Sequence, residues 1–203
     1  MTIDAIMRIA PVIPILVISD VAHAALIADA LVAGGLCVLE VTLRTPAALD
    51  VIREMATIPG AIVGAGTVLN TSDLDAALAA GAKFVVSPGL TEPLGKAAIE
   101  SGVPFLPGIA SAGDLMRGFD MGLDRFKFFP ATAAGGLPAL EALAAPFGRA
   151  RFCPTGGITK ESAVEWLAEP SVLSVGGSWV VPKGTPDAAL IRHHAQEAFN
   201  LRG

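Results

Sequence analysis

Apolar residues gather in short unbroken runs, at positions 13–18, 36–42, 61–66, 84–87, 105–108, 126–128, 152–155 and 172–175. Continuous apolarity, in place of period-two alternation, is the pattern of strands buried on both faces, as in a parallel sheet. The starts of the runs recur about every 20 to 26 residues, the length that a short strand, a two- or three-turn helix and two tight loops occupy. The intervening segments 21–33, 47–56, 72–80, 91–101, 112–121, 136–145 and 160–168 pattern as amphipathic helices, and 188–202 adds a terminal one. Thr71-Ser72-Asp73 and Thr91-Glu92-Pro93 carry helix-start chemistry, while Gly34-Gly35, Gly81, Gly102 and Gly122 sit where helices end in the left-handed conformation.

Eight such strand–helix units in one domain spanning residues 1–203 predict a closed (β/α)8 TIM barrel, with the terminal helix completing the ring. An open doubly wound sheet is the alternative. Against it, the first turn, Ile18-Ser19-Asp20, has none of the glycines that cradle a dinucleotide pyrophosphate.

Composition narrows the possibilities. With 53% apolar and 16% charged residues in 203, the chain has material for one sizeable core and is far from a disordered composition. Fourteen Lys and Arg against nineteen Asp and Glu leave a net charge of −5, so no bulk positive field exists to hold nucleic acid or an anionic membrane. An anionic ligand needs a local site. The longest uncharged run, 55–72, contains Pro59, Gly60, Gly64 and Gly66 and is no membrane span. A secretory signal is not expected either, because Asp4 offsets Arg8 and prolines 11 and 14 break the first apolar run. Cys37 and Cys153 lie in apolar runs without metal-type spacing and read as buried thiols of a reducing cytoplasm.

In a barrel the site forms at the carboxyl ends of the strands, and out-of-place polar residues fall there repeatedly. Lys127 stands in Phe126-Lys127-Phe128-Phe129, where its neighbours imply little water. Burial favours the neutral form of an amine, and a neutral amine attacks a ketone to form an imine. A lysine that pairs with a carboxylate or snorkels from the mouth is the plainer alternative. Glu40 is the sole carboxylate of Leu36 to Leu43, and a carboxylate on an interior strand needs a partner or a role in proton transfer. An ion pair with Arg44 is its structural alternative. Arg44 in turn suits a substrate carboxylate, with the Thr67 hydroxyl as a second donor and the Gly64-Ala65-Gly66 turn admitting the ligand. Thr155-Gly156-Gly157 before a helix, and Gly176-Gly177-Ser178 ending the next strand, form a pair of loops suited to phosphate; glycine chosen for close packing is the competing account. His23, His193 and His194 fall on helices and no metal-ligand spacing occurs, so neither a metal nor another cofactor is expected.

The chain resembles the 2-keto-3-deoxy-6-phosphogluconate aldolase family, some of whose members also act on 4-hydroxy-2-oxoglutarate. The likeness covers about residues 11–182. It rests on Leu39-Glu40-Val41-Thr42-Leu43-Arg44-Thr45, Val63-Gly64-Ala65-Gly66-Thr67, Ser87-Pro88-Gly89-Leu90-Thr91, Phe126-Lys127-Phe128-Phe129-Pro130, Pro154-Thr155-Gly156-Gly157-Ile158 and Gly176-Gly177-Ser178-Trp179. The resemblance implies a cytoplasmic (β/α)8 homotrimer of the Entner–Doudoroff pathway that needs no cofactor. It implies that Lys127 forms the Schiff base and that Glu40 moves protons through water. By the same resemblance Arg44 and Thr67 bind the pyruvyl carboxylate, and Pro88 and Phe129 shape the wall. Thr155, Gly156, Gly157, Gly177 and Ser178 hold the phosphate. The partner is then a small phosphorylated keto acid, cleaved to pyruvate and glyceraldehyde 3-phosphate. An aldolase for the galactonate-derived epimer is the alternative substrate reading, a phosphosugar isomerase or epimerase the alternative class, and a binding protein that has lost its chemistry a third. One segment departs: Ser111 and Asp114 stand where the family has threonine and glutamate, a shorter carboxylate that still favours a helix start.

Overall fold

A computed structural model gives the fold, with residues 1–202 described. Among the described residues nine strands alternate with helices, except that the fifth and sixth follow directly on one another: β1 (Val12–Leu16), β2 (Val38–Thr42), β3 (Ile62–Gly66), β4 (Val85–Val86), β5 (Phe105–Leu106), β6 (Gly108–Ile109), β7 (Arg125–Phe128), β8 (Arg151–Pro154) and β9 (Val175–Gly177). The helices are α1 (Ile3–Met7), α2 (Ala24–Ala33), α3 (Ala48–Met55), α4 (Thr71–Ala79), α5 (Glu92–Ser101), α6 (Ala112–Asp120), α7 (Gly136–Ala144), α8 (Lys160–Ala168) and α9 (Ala188–Phe199).

The strand pairing corrects the expectation of a single closed eight-stranded barrel. The strands form two parallel sheets, six strands in the order β5-β4-β3-β2-β1-β9 and three in the order β6-β7-β8. Two local causes divide the ring. Pro107, which has no N–H to donate, splits the fifth apolar run into β5 and β6. Between β8 and β9 only isolated bridges remain, Phe152 with Val172 and Thr155 with Gly176.

Period-two alternation sorts each strand's side chains into two cores. Leu39 and Val41 of β2, and Phe126 and Phe128 of β7, join the large cluster shared with the helices. There Phe126 meets Phe119 of α6 edge-on at 5.9 Å, and Phe128 lies 6.3 Å from Trp166 of α8. The alternate positions belong to a smaller inner cluster that includes Ile13, Val38, Phe84 and Cys153. The short helix α1 sends Ile6 and Met7 into that inner cluster, and its Asp4 accepts a 2.6 Å hydrogen bond from Arg125 at the start of β7. These contacts seal the amino ends of the strands. At the other end the loops are held by caps: Asn70 accepts from the Asp73 N–H at the start of α4, and Ser111 and Asp114 form a reciprocal capping box on α6. The shorter carboxylate at position 114 therefore completes the cap.

Candidate active site

Because Phe126 and Phe128 face the helices, Lys127 between them faces inward. In β2 the same alternation turns Glu40 and Thr42 inward, two residues apart. Lys127 is 6% and Glu40 3% exposed, and the Lys127 Nζ donates to Glu40 Oε1 at 3.0 Å. Glu40 thus pairs with the lysine; the ion pair with Arg44 considered from sequence does not form. The glycines of β3 make this possible. Gly64 and Gly66 stand opposite Glu40 and Thr42, and a methyl group at 66 would collide with the Glu40 carboxylate, one at 64 with the Phe84 ring. Room for interior side chains, more than approach of a ligand, explains glycine at both positions.

Burial keeps the Cys153 thiol, paired in register with Lys127, protonated up to about 11. Desolvation is the cause, and it outweighs the nearby lysine charge. The Lys127 Nζ also lies 5.6 Å from the centroid of the Phe129 ring.

Above the pair opens a cavity of about 260 Å³. Arg44, just past β2, lines its mouth and donates from Nε to the Thr42 hydroxyl at 3.2 Å. Thr67 follows β3 with φ of 59°, the one non-glycine residue with positive φ among those described. A β-branched residue held in that region is strained, and such strain persists where surrounding structure imposes it, often at a working site. Pro88 and Phe129 form walls.

The far side is built from the turn after β8. Gly156 and Gly157 have φ of 105° and 78°, conformations that glycine adopts freely, and they lead into α8 through Thr159. The Thr159 hydroxyl takes the Ser162 N–H in a capping box. A chain that enters a helix this way turns backbone N–H groups toward the approaching solvent or ligand.

Of the eleven residues singled out from the sequence, ten line this one cavity: Lys127 and Glu40 at its base, Arg44, Thr67, Pro88 and Phe129 around it, and Thr155, Gly156, Gly157 and Ser178 on the far side. Gly177 does not. Its Cβ direction is filled by the Trp179 ring, and Gly176, bridged to Thr155, is the glycine that faces the cavity. Sequence reasoning passed over Ile15, Thr42 and Ile158, which also line it. Thr42 carried a signal, since it stands two residues from Glu40 on the same strand face; Ile15 and Ile158 carried none that separates them from ordinary core residues. No group of three or more His, Cys, Asp or Glu placed to hold a metal occurs among the described residues.

A buried amine hydrogen-bonded to a carboxylate, at the carboxyl ends of parallel strands and under an arginine, is the equipment of an enzyme acting on carbonyl compounds. Comparison with known proteins agrees. A family model described as KDPG and KHG aldolase matches residues 3–193, and this chain belongs to that family. The 2-dehydro-3-deoxy-phosphogluconate aldolase of Zymomonas mobilis is 62% identical over 196 residues, 97% of this chain and 94% of that protein. The crystal structure of the 2-keto-3-deoxy-6-phosphogluconate aldolase of Zymomonas mobilis ZM4 with 3-phosphoglycerate is 60% identical with a TM-score of 0.97, covering 98% of this chain and 96% of that one. The KDPG aldolase of Legionella pneumophila, solved with pyruvate captured at low pH as a covalent carbinolamine intermediate, is 44% identical with a TM-score of 0.88, covering 99% and 96%.

Proposed function

We propose that the protein is a class I aldolase that cleaves 2-keto-3-deoxy-6-phosphogluconate to pyruvate and glyceraldehyde 3-phosphate through a Schiff base on Lys127. The observation that carries this reading is the buried 3.0 Å contact between Lys127 Nζ and Glu40 Oε1. Glu40 takes a proton from the ammonium, and the freed amine adds to the substrate's C2 carbonyl to give a carbinolamine. Returning the proton to the C2 oxygen expels water and leaves a protonated imine. Removal of the C4 hydroxyl proton, relayed by water to Glu40, breaks the C3–C4 bond. The bonding pair moves into the imine, so a neutral enamine forms where a bare carbanion would otherwise stand. The aldehyde product departs, C3 takes a proton, and water releases pyruvate from the lysine.

In this reading Arg44 and Thr67 hold the C1 carboxylate, the guanidinium through parallel charge-assisted hydrogen bonds. Pro88 and Phe129 flank the carbon chain. Thr155, Gly156, Gly157 and Ser178 take the phosphate, with Gly176 in the role that the sequence suggested for Gly177. The carbinolamine captured in the Legionella pneumophila enzyme and the 3-phosphoglycerate of the Zymomonas mobilis enzyme support an amine nucleophile and a phosphate-bearing ligand for a chain this similar. Borohydride reduction with pyruvate, followed by mass spectrometry of peptides, tests the assignment. A pyruvyl adduct on the peptide containing Lys127 is expected, and an adduct on a different lysine, or none, overturns it. Coupling to lactate dehydrogenase separates this activity from a phosphosugar isomerase, which releases no pyruvate. The family resemblance further supports a homotrimer working in the cytoplasm.

A further inference from the structure

One polar side chain in the cavity wall has no part in the chemistry above. Thr42 is 3% exposed. Its hydroxyl has a single proton, which it donates to the Leu16 carbonyl at the end of β1, 2.9 Å away. The oxygen is left to accept, and the Arg44 Nε–H reaches it at 3.2 Å. Beyond this bond the Arg44 side chain makes no hydrogen bond and no ion pair among the described residues, so both terminal nitrogens remain free. We infer that Thr42 is a positioning residue which holds Arg44 by Nε and so presents its two terminal nitrogens end-on to the substrate carboxylate.

The inference rests on the reading that Arg44 grips that carboxylate. An arginine past the end of a strand has several rotors to freeze on binding, and a grip fixed beforehand spares that loss. Thr42 can supply it because it is itself fixed twice over, by its β-branched χ1 on a buried strand and by its bond to β1. Two hydrogen bonds, from Arg44 Nε to the Thr42 hydroxyl and from that hydroxyl to the Leu16 carbonyl, thus tie the guanidinium to the rigid sheet.

The test measures half-saturation by pyruvate in borohydride trapping beside KM and kcat for cleavage. It uses Thr42→Val, which keeps shape and removes the hydroxyl, Thr42→Ser, which restores it, Arg44→Ala, and the Val–Ala double variant. Thr42→Val is expected to weaken pyruvate half-saturation and raise KM by about tenfold, mainly in KM and not in kcat. Thr42→Ser is expected to recover most of that loss, and Thr42→Val should add little once Arg44 is gone. If Arg44→Ala itself leaves half-saturation unchanged, the carboxylate reading fails and the inference fails with it. If Arg44→Ala weakens pyruvate binding while Thr42→Val does not, or does so by the same factor with and without Arg44, the inference alone is overturned. Should the valine variant not fold, Thr42→Ala against Thr42→Ser reads the same contrast.

Discussion

At Lys127 the physical chemistry is concentrated in one contact. An ammonium and a carboxylate buried together are stable only as a pair, and removing one leaves the other uncompensated. Lys127→Met should therefore abolish cleavage, by about a thousandfold or more in kcat, and should also leave Glu40 without its donor. Glu40→Gln keeps a hydrogen-bonding side chain but takes up no proton, so kcat is expected to fall about a hundredfold or more while the lysine remains able to trap pyruvate slowly. Steady-state assays and the rate of borohydride-trapped adduct measure both. Cys153 offers a different check. A thiol held protonated to about 11 is inert at neutral pH, so iodoacetamide should leave Cys153 unlabelled in the native protein and label it after unfolding in urea. Because its ordinary value is 9.0, the folded state retains a proton that the unfolded chain loses, and this contribution to stability disappears as pH rises from 9.0 through about 11.

Individual strands and helices explain what the sequence disclosed and what it withheld. Lys127, Glu40 and the glycine turn after β8 were legible because polar or flexible residues interrupt buried strand ends. Helix α1 was not, since five residues are too few to display a helical period. The division at Pro107 was readable only as a proline within an apolar run, and whether such a run bends or breaks depends on neighbours the sequence does not order. The last strand lies at Val175–Gly177 and not at 172–175, and within it Gly176 takes the place at the cavity suggested for Gly177, because adjacent residues of a strand face opposite sides. Two variants act at this level. Gly66→Ala should preserve the fold yet lower kcat, because the new methyl displaces the Glu40 carboxylate. Ser111→Ala should cost about 1 kcal/mol of stability by urea unfolding, with kcat little changed, since it removes half of the α6 capping box.

For the molecule as a whole, α1 is held at the amino end of the strands by Asp4. Arg8 and Arg125 hydrogen-bond its carboxyl and hold it below the usual 3.8, against partial burial. A carboxyl lowered in the folded state contributes stability above 3.8 that is lost as pH falls through its depressed value. The melting temperature should accordingly drop between about pH 5 and pH 2, and Asp4→Asn should flatten part of that fall. Sedimentation equilibrium is expected to return three times the 20.6 kDa chain mass for the proposed homotrimer. A monomer mass would contradict it.

Lys127 belongs to the three-stranded sheet and Glu40 to the six-stranded one. Their contact is the one buried hydrogen bond between two side chains among the described residues, so it acts as a tie beam between two panels whose edges meet only at Pro107 and at isolated bridges. Each turnover through an imine must slacken that beam and tighten it again. The protein's resistance to opening at those seams should then vary over the catalytic cycle, and backbone amides beside them would exchange with deuterium at a rate that reports which intermediate the lysine is carrying.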